Sequence, residues 1–293
     1  MTPADAIRAK REIDINERVS HPNIVKVSKI IQTTECVGLV MELMKGGELF
    51  DCVLKNGPLP EAICRLIIHD ICKALSYLHD QGIAHRDLKP ENVLFAEEYD
   101  GTSAFTVKII DFGFAKIDRE HGALQTPIGT AAYVAPEVIH DKQYDKKVDM
   151  WSLGCLLYFV LFGRPPFYSE DEEEICDLAK KGNYSIPKKI KVSTEALDFV
   201  RHLLEPDPTK RFVAKDALQH KWLKGSSDME VEPSKVVKPK ISEKEATQMK
   251  QSFSVIDRFR EPEEDMSMAS AQDSPLWKKR QLKKQKLLAT GNC

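Results

Sequence analysis

Two aspartates, an asparagine and a lysine carry the chemistry that this sequence offers. Three of them fall in one octapeptide, His85-Arg86-Asp87-Leu88-Lys89-Pro90-Glu91-Asn92, and the fourth opens Asp111-Phe112-Gly113, nineteen positions after Asn92. Ala135-Pro136-Glu137 follows further along. Carboxylate and carboxamide oxygens are hard ligands of the kind that hold Mg²⁺. A carboxylate is also a base that can orient and deprotonate a hydroxyl. The plain alternative is a set of solvated charges in loops. Against it stands the setting: short apolar runs at 93–95 and 107–110 bracket a polar loop, as two strands would.

The elements around these residues read as follows. Residues 4–19 predict a helix, stopped by His21-Pro22-Asn23. Two β-type stretches come next, near 24–33 and 36–42, before a Gly-Gly break at 46–47. Residues 62–79 place Ile63, Leu66, Ile67, Ile71, Leu75 and Leu78 at helical spacing, so one face is expected to be buried. Further helices are expected around 149–162, 170–181, 194–204 and 213–220. Residues 225–241 are rich in serine, proline and charge and mark a linker. Residues 243–259 could form a separate helix, with Ala246, Met249, Phe253 and Ile256 on one face.

Composition narrows the class. The 293 residues are 42% hydrophobic and 30% charged, enough for a sizeable core in one large domain or two lobes with a tail. A net charge of −2 argues against a wholly basic nucleic-acid binder, although residues 276–288 carry six Lys/Arg and no acid. The strongest apolar run, 153–162, is about half of what crosses a bilayer, so it reads as a buried helix and no membrane span is expected. Cys36, Cys52, Cys64, Cys72, Cys155, Cys176 and Cys293 are scattered without CxxC spacing. Reduced thiols in a cytosolic or nuclear protein follow, with neither a zinc site nor a disulfide framework.

The octapeptide, the Asp-Phe-Gly and the Ala-Pro-Glu, in that order and spacing, resemble the catalytic loop and two companion motifs of the eukaryotic protein kinases. The resemblance covers about residues 8–223. It implies an α+β, two-lobed fold with an incomplete N-terminal β lobe (1–44) and a mainly α-helical C-terminal lobe (45–223), then a linker (224–241) and a regulatory tail (242–293). It implies transfer of the γ-phosphoryl group of ATP to proteins, with Mg²⁺ as the metal. Asp87 would orient and deprotonate the incoming hydroxyl, Asn92 and Asp111 would hold Mg²⁺, and Lys89 would stand beside the transferring phosphoryl, as in Ser/Thr kinases. Glu42 and Met44 would lie in the hinge that binds adenine, with Met41 as gatekeeper and Leu94 beneath the ring. Glu12, Asp149 and the pair Glu137 and Arg211 would be scaffold. Glu48 and Glu91 would receive an arginine upstream of the target residue, and Thr130 would contribute to substrate recognition. For either glutamate alone, a solvated side chain is an equal reading.

The segment from Asp111 to Glu137 looks like the MAP-kinase-activated protein kinases within the calcium/calmodulin-kinase group. Thr126-Pro127 has the form that proline-directed kinases phosphorylate, and a phosphate there could pair with Arg86. The rival reading is a threonine opening a turn before proline. The tail from Leu276 to Lys286 resembles that subfamily's docking segment for an upstream MAP kinase, overlapping a nuclear localisation signal. A calmodulin-type basic helix and a solvated tail remain open for the same residues. Residues 243–259 would match an autoregulatory segment. Cytoplasmic and nuclear localisation follows.

Two parts of the family pattern find no match in 1–293: the Gly-rich loop over the phosphates, and the strand lysine that pairs with the residue matching Glu12. A catalytically impaired docking isoform is therefore the second reading. The remaining small-lobe strands are expected to expose an uncovered face. Asn16 replaces an apolar residue that would stack toward Phe112, which is expected to loosen the first helix.

Overall fold

Helix α1, Pro3–Asn16, opens a computed structural model that describes residues 3–33, 37–101, 105–117, 133–139, 144–169 and 171–225. The helix stops three residues short of the expected Val19. Asn16 turns its side chain back, its Nδ2 donating to the Glu12 carbonyl at 2.8 Å. Beyond it, Arg18 and Val19 both donate N–H to the Ile15 carbonyl, a looser turn. So the polar residue ends the helix, and Ile13 and Ile15 remain buried.

Strands β1 (Val27–Gln32) and β2 (Val37–Met41) pair antiparallel, from Val27 opposite Met41 to Gln32 opposite Val37. Ile31, Val40 and Met41 on this pair are 46%, 44% and 50% exposed, the uncovered apolar surface expected of this lobe. Backbone pairing with a later strand helps to join the lobe to the rest. Ile109 N–H donates to the Asn23 carbonyl, Val25 N–H donates to the Ile109 carbonyl, and Asn23 Nδ2 donates to the Val107 carbonyl at 3.0 Å.

The Gly46-Gly47 break is a close crossing. A Cβ on Gly46 would lie 2.1 Å from the Glu97 carbonyl oxygen, so only glycine lets the two backbones meet there. Helices α2 (Leu49–Asn56) and α3 (Glu61–Asp80) follow, then β3 (Ile83–Ala84), a 3₁₀ turn at Pro90–Asn92, and strands β4 (Val93–Phe95), β5 (Val107–Ile109) and β6 (Lys116–Ile117). Strand β4 pairs antiparallel with β5, and β3 with β6. The chain continues through α4 (Pro136–Ile139), α5 (Lys147–Phe162), α6 (Glu172–Lys181), α7 (Thr194–Leu203), α8 (Ala214–Gln219) and α9 (Lys221–Lys224).

The core forms around α3 and α5. Helix α5 is buried on every side from Val148 to Phe162. Helix α3 buries Ile63, Ile67, Ile71, Leu75 and Leu78. Leu66 is the correction, being 39% exposed. At 100° per residue the buried positions 63–79 sweep one half-turn, and position 66 falls outside that arc. No helix among the described residues is long and apolar enough to cross a membrane.

Candidate active site

The octapeptide forms the loop between β3 and β4, closing in the 3₁₀ turn, and its shape is imposed from below. Asp149, in the first turn of α5 and fully buried, accepts N–H bonds from His85 at 2.9 Å and Arg86 at 2.8 Å. Its Oδ2 also lies 2.8 Å from His79 Nε2 at the end of α3. Burial alone would push this carboxyl up. The hydrogen bond and charge of His79, the charge of His85 and the Arg86 N–H outweigh burial and hold it below the usual carboxylate range. This clamp lets Arg86 adopt a φ of 67°, a left-handed conformation unfavourable for a long side chain.

The turn at Arg86 brings the reactive groups together. Asn92 Nδ2 donates to the Asp87 carbonyl at 2.8 Å and to its Oδ2 at 3.1 Å, which leaves the Asn92 amide oxygen as the acceptor. Lys89 Nζ lies 3.1 Å from Asp87 Oδ2. Asp87 and Asn92 are both buried, so their polar groups are held by protein rather than by bulk water. Ile110 N–H donates to the Asn92 carbonyl at 3.0 Å, which sets Asp111 one residue from Asn92's backbone. Asp111 also has a φ of 67° and folds its Oδ1 onto the Gly113 N–H at 3.0 Å. A base, an ammonium group and a hard-oxygen side chain are thus bonded together, and a second hard-oxygen side chain, Asp111, follows the residue that pairs with the Asn92 backbone. That donor set fits Mg²⁺ better than a softer metal.

Glu12 sits within 4.0 Å of the position that a Cβ on Gly113 would take. Burial, and next the Asp111 charge, push its carboxyl up. Among the described residues no cation pairs with it. Glu91 presents a second strained acid. Its Oε2 is buried with no hydrogen-bond partner among the described residues. Burial, helped by the charges of Asp87 and Glu48, raises it to about 7 against the pull of Lys89. Glu91 is therefore within electrostatic reach of both Glu48 and the reactive carboxylate, Asp87.

Met41 ends β2 with its side chain half exposed, and Leu94 on β4 forms a bridge with Glu48. Glu42 and Met44 occupy the crossing between β2 and the glycine break. Glu137 and Arg211 make a buried bidentate pair at 2.7 and 2.8 Å, and the guanidinium lies 5.1 Å over Trp151. Thr126, Thr130, Leu276 to Lys286 and residues 243–259 lie outside the described residues.

Several contacts were not read from sequence, two of them made by octapeptide residues already named. His85 accepts the Asp87 N–H on Nδ1 at 3.3 Å, so its Nε2 donates to the Ile110 carbonyl at 3.0 Å and ties the loop to the segment entering Asp111. Arg86 Nε donates to the Phe114 carbonyl at 2.7 Å and its Nη1 to Tyr144 at 3.2 Å. A His79 or Tyr144 signal would require knowing contacts more than fifty residues apart. A separate group, Asp198, His202 and His220, has metal-like composition. His220 Nδ1 accepts the Trp222 N–H at 3.2 Å, so its Nε2 carries a proton toward Asp198, and His220 serves as the N-cap of α9.

Residues 2–223 match the family described as "Protein kinase domain". The chain is similar to myosin light chain kinase A of Dictyostelium discoideum, 42% identical over 243 residues that cover 82% of the chain and 81% of the relative. It is similar to calcium/calmodulin-dependent protein kinase type 1B of Rattus norvegicus, 40% identical over 235 residues, covering 78% and 67%. A Dictyostelium protein named "Probable myosin light chain kinase" is 45% identical over 214 residues, and there the chain spans 44% of the relative's length.

Proposed function

The chain belongs to the protein kinase family, and on that premise we propose that it transfers the γ-phosphoryl group of Mg²⁺-bound ATP to serine or threonine hydroxyls of proteins. The observation that carries this reading is the bonded set Asp87–Lys89–Asn92 held one residue from Asp111. Asp87 orients the substrate hydroxyl and takes its proton. Lys89 places positive charge where the transferred group gathers negative charge. Asn92 and Asp111 are the residues that would hold Mg²⁺, whose chemistry is to neutralise phosphate charge. Glu42 and Met44 would offer backbone groups to adenine, with Met41 as gatekeeper and Leu94 beneath the ring. Glu48 and Glu91 receive an arginine upstream of the acceptor residue.

Regulation fits a MAP-kinase cascade. Thr126 is phosphorylated by a proline-directed kinase, and the phosphate reaches Arg86, whose guanidinium has five donors and already spans Phe114 and Tyr144. The tail from Leu276 to Lys286 docks that upstream kinase and directs nuclear import from the cytoplasm; calmodulin is the competing partner for the same basic residues. Relatives named for calcium/calmodulin and myosin light chain kinases support the wider group to which both readings belong.

The test is phosphate incorporation into a serine peptide with an upstream arginine, using labelled ATP and the 293-residue chain. Wild type is expected to incorporate label, and D87N to lose about 100-fold or more in rate while still binding nucleotide. Equal incorporation by wild type and D87N would overturn the reading.

A further inference from the structure

Lys108 stands in β5 opposite Leu94 of β4, and directly opposed residues of an antiparallel pair share one face of the sheet. From that face its Nζ reaches both carboxylate oxygens of Glu42, at 2.6 and 2.8 Å. Glu42 Oε1 also accepts the Lys26 N–H at 2.7 Å, and Glu42 N–H donates to the Lys26 carbonyl at 3.1 Å. Burial on its own would raise this carboxyl, but the Lys108 hydrogen bond and the Lys26 N–H bring it below its ordinary value. The pair is only partly exposed, at 16% for Lys108 and 36% for Glu42.

The position of this pair matters more than its strength. The crossing from β2 to α2 is fastened at its far end by Lys45 N–H to the Ala96 carbonyl and Gly46 N–H to the Phe95 carbonyl. At its near end the Lys108–Glu42 pair fastens it to β5. Leu43 and Met44 lie between the two anchors. We propose that Lys108 is a positioning residue for the nucleotide: by holding the Glu42 carboxylate it fixes the height of the crossing's backbone over Leu94, and so the slot in which adenine sits. The proposal rests on the kinase reading. Lys108 bonds Glu42 and none of Asp87, Lys89, Asn92 or Asp111, so its loss acts on nucleotide binding and leaves the chemical step alone.

The experiment is steady-state kinetics with the full chain, varying ATP and a serine peptide separately. Lys108→Met is expected to raise the KM for ATP about 5- to 10-fold while kcat at saturating ATP changes less than about twofold. Glu42→Gln keeps the side chain's shape and removes its charge, and is expected to give the same shift. The double variant is expected to be no worse than either single one, because both remove one interaction. Lys108→Arg preserves a bidentate donor and is expected to return the KM to within about twofold of wild type. A purely structural role would instead lower the melting temperature and leave the ATP KM unchanged. If Lys108→Met fails to fold, Glu42→Gln and Lys108→Arg carry the comparison. Unchanged ATP KM in Glu42→Gln, or fully additive effects, overturns the proposal while the kinase reading stands. A wild-type chain that binds no nucleotide overturns both.

Discussion

Glu91 is where the site stores electrostatic tension at the scale of one side chain. Its buried Oε2 has no partner among the described residues, and its carboxyl is raised to about 7 by burial first and by neighbouring acids next. An acid whose folded value lies above its unfolded value favours the protonated form. Its contribution to stability is therefore full at pH 4 and is lost as pH climbs from about 4.5 to about 7. Glu91→Gln removes that loss. The variant is expected to be more stable than wild type at pH 8, by about 1–3 kcal/mol, with little difference at pH 4.5. Denaturant midpoints at the two values check this. Wild type should bind a substrate arginine best once Glu91 is ionised, so kcat/KM for an arginine peptide is expected to rise through pH 7 and to flatten in E91Q. A steep rise surviving in E91Q would assign the titration to another group.

One helix end governs the catalytic loop at the scale of elements. Asp149 takes bonds from His79, His85 and Arg86, so α5 fixes both α3 and the loop that carries Asp87. Removing a buried, hydrogen-bonded carboxylate leaves its donors unpaired. Asp149→Ala is expected to cost about 3–5 kcal/mol in urea unfolding, and to lower kcat as Arg86 relaxes from positive φ. The Asp149 carboxyl is depressed, so its stabilisation is present above the unfolded value near 3.8 and is lost as pH falls further. An alanine variant within 1 kcal/mol of wild type would show that the loop holds its own shape. These contacts also mark how much could be read from sequence. Helices α3 and α5 were plain because long apolar patterns need no partner to be recognised, and the octapeptide was plain because its chemistry is contiguous. Helix α2 was missed because only Leu49, Phe50 and Val53 signal its buried face in a short stretch after two glycines. Strands β3 and β6, two residues each, are too short to show alternation. The roles of His79, Tyr144 and Lys108 come from neighbours 70, 58 and 66 positions away, and no local spacing encodes such distances.

The molecule taken whole is uneven in how well it is held. The large lobe has a continuous core around α5, whereas β1 and β2 show Ile31, Val40 and Met41 to solvent, and the segment just before β1 meets β5 through backbone bonds of Asn23 and Val25. Glu12 lies near Asp111 with its carboxyl raised by burial and by like charge. Two carboxyls near one another need a cation to stay ionised together, and the described residues place none on Glu12. Residues 1–293 by themselves are therefore expected to bind Mg²⁺ and ATP weakly and to turn over well below the roughly 1–100 s⁻¹ usual for kinases, even with Thr126 phosphorylated. Supplying charge should matter more than removing it. Glu12→Gln relieves the repulsion, raises stability modestly at neutral pH and leaves turnover low, because it adds no second cation to Lys89 for the phosphates. A kinase assay and a melting curve on the same preparation separate the two effects. Turnover of tens per second from the 293 residues alone would mean that Asp87, Lys89, Asn92 and Asp111 suffice, and that the phosphates need no second cation from the small lobe.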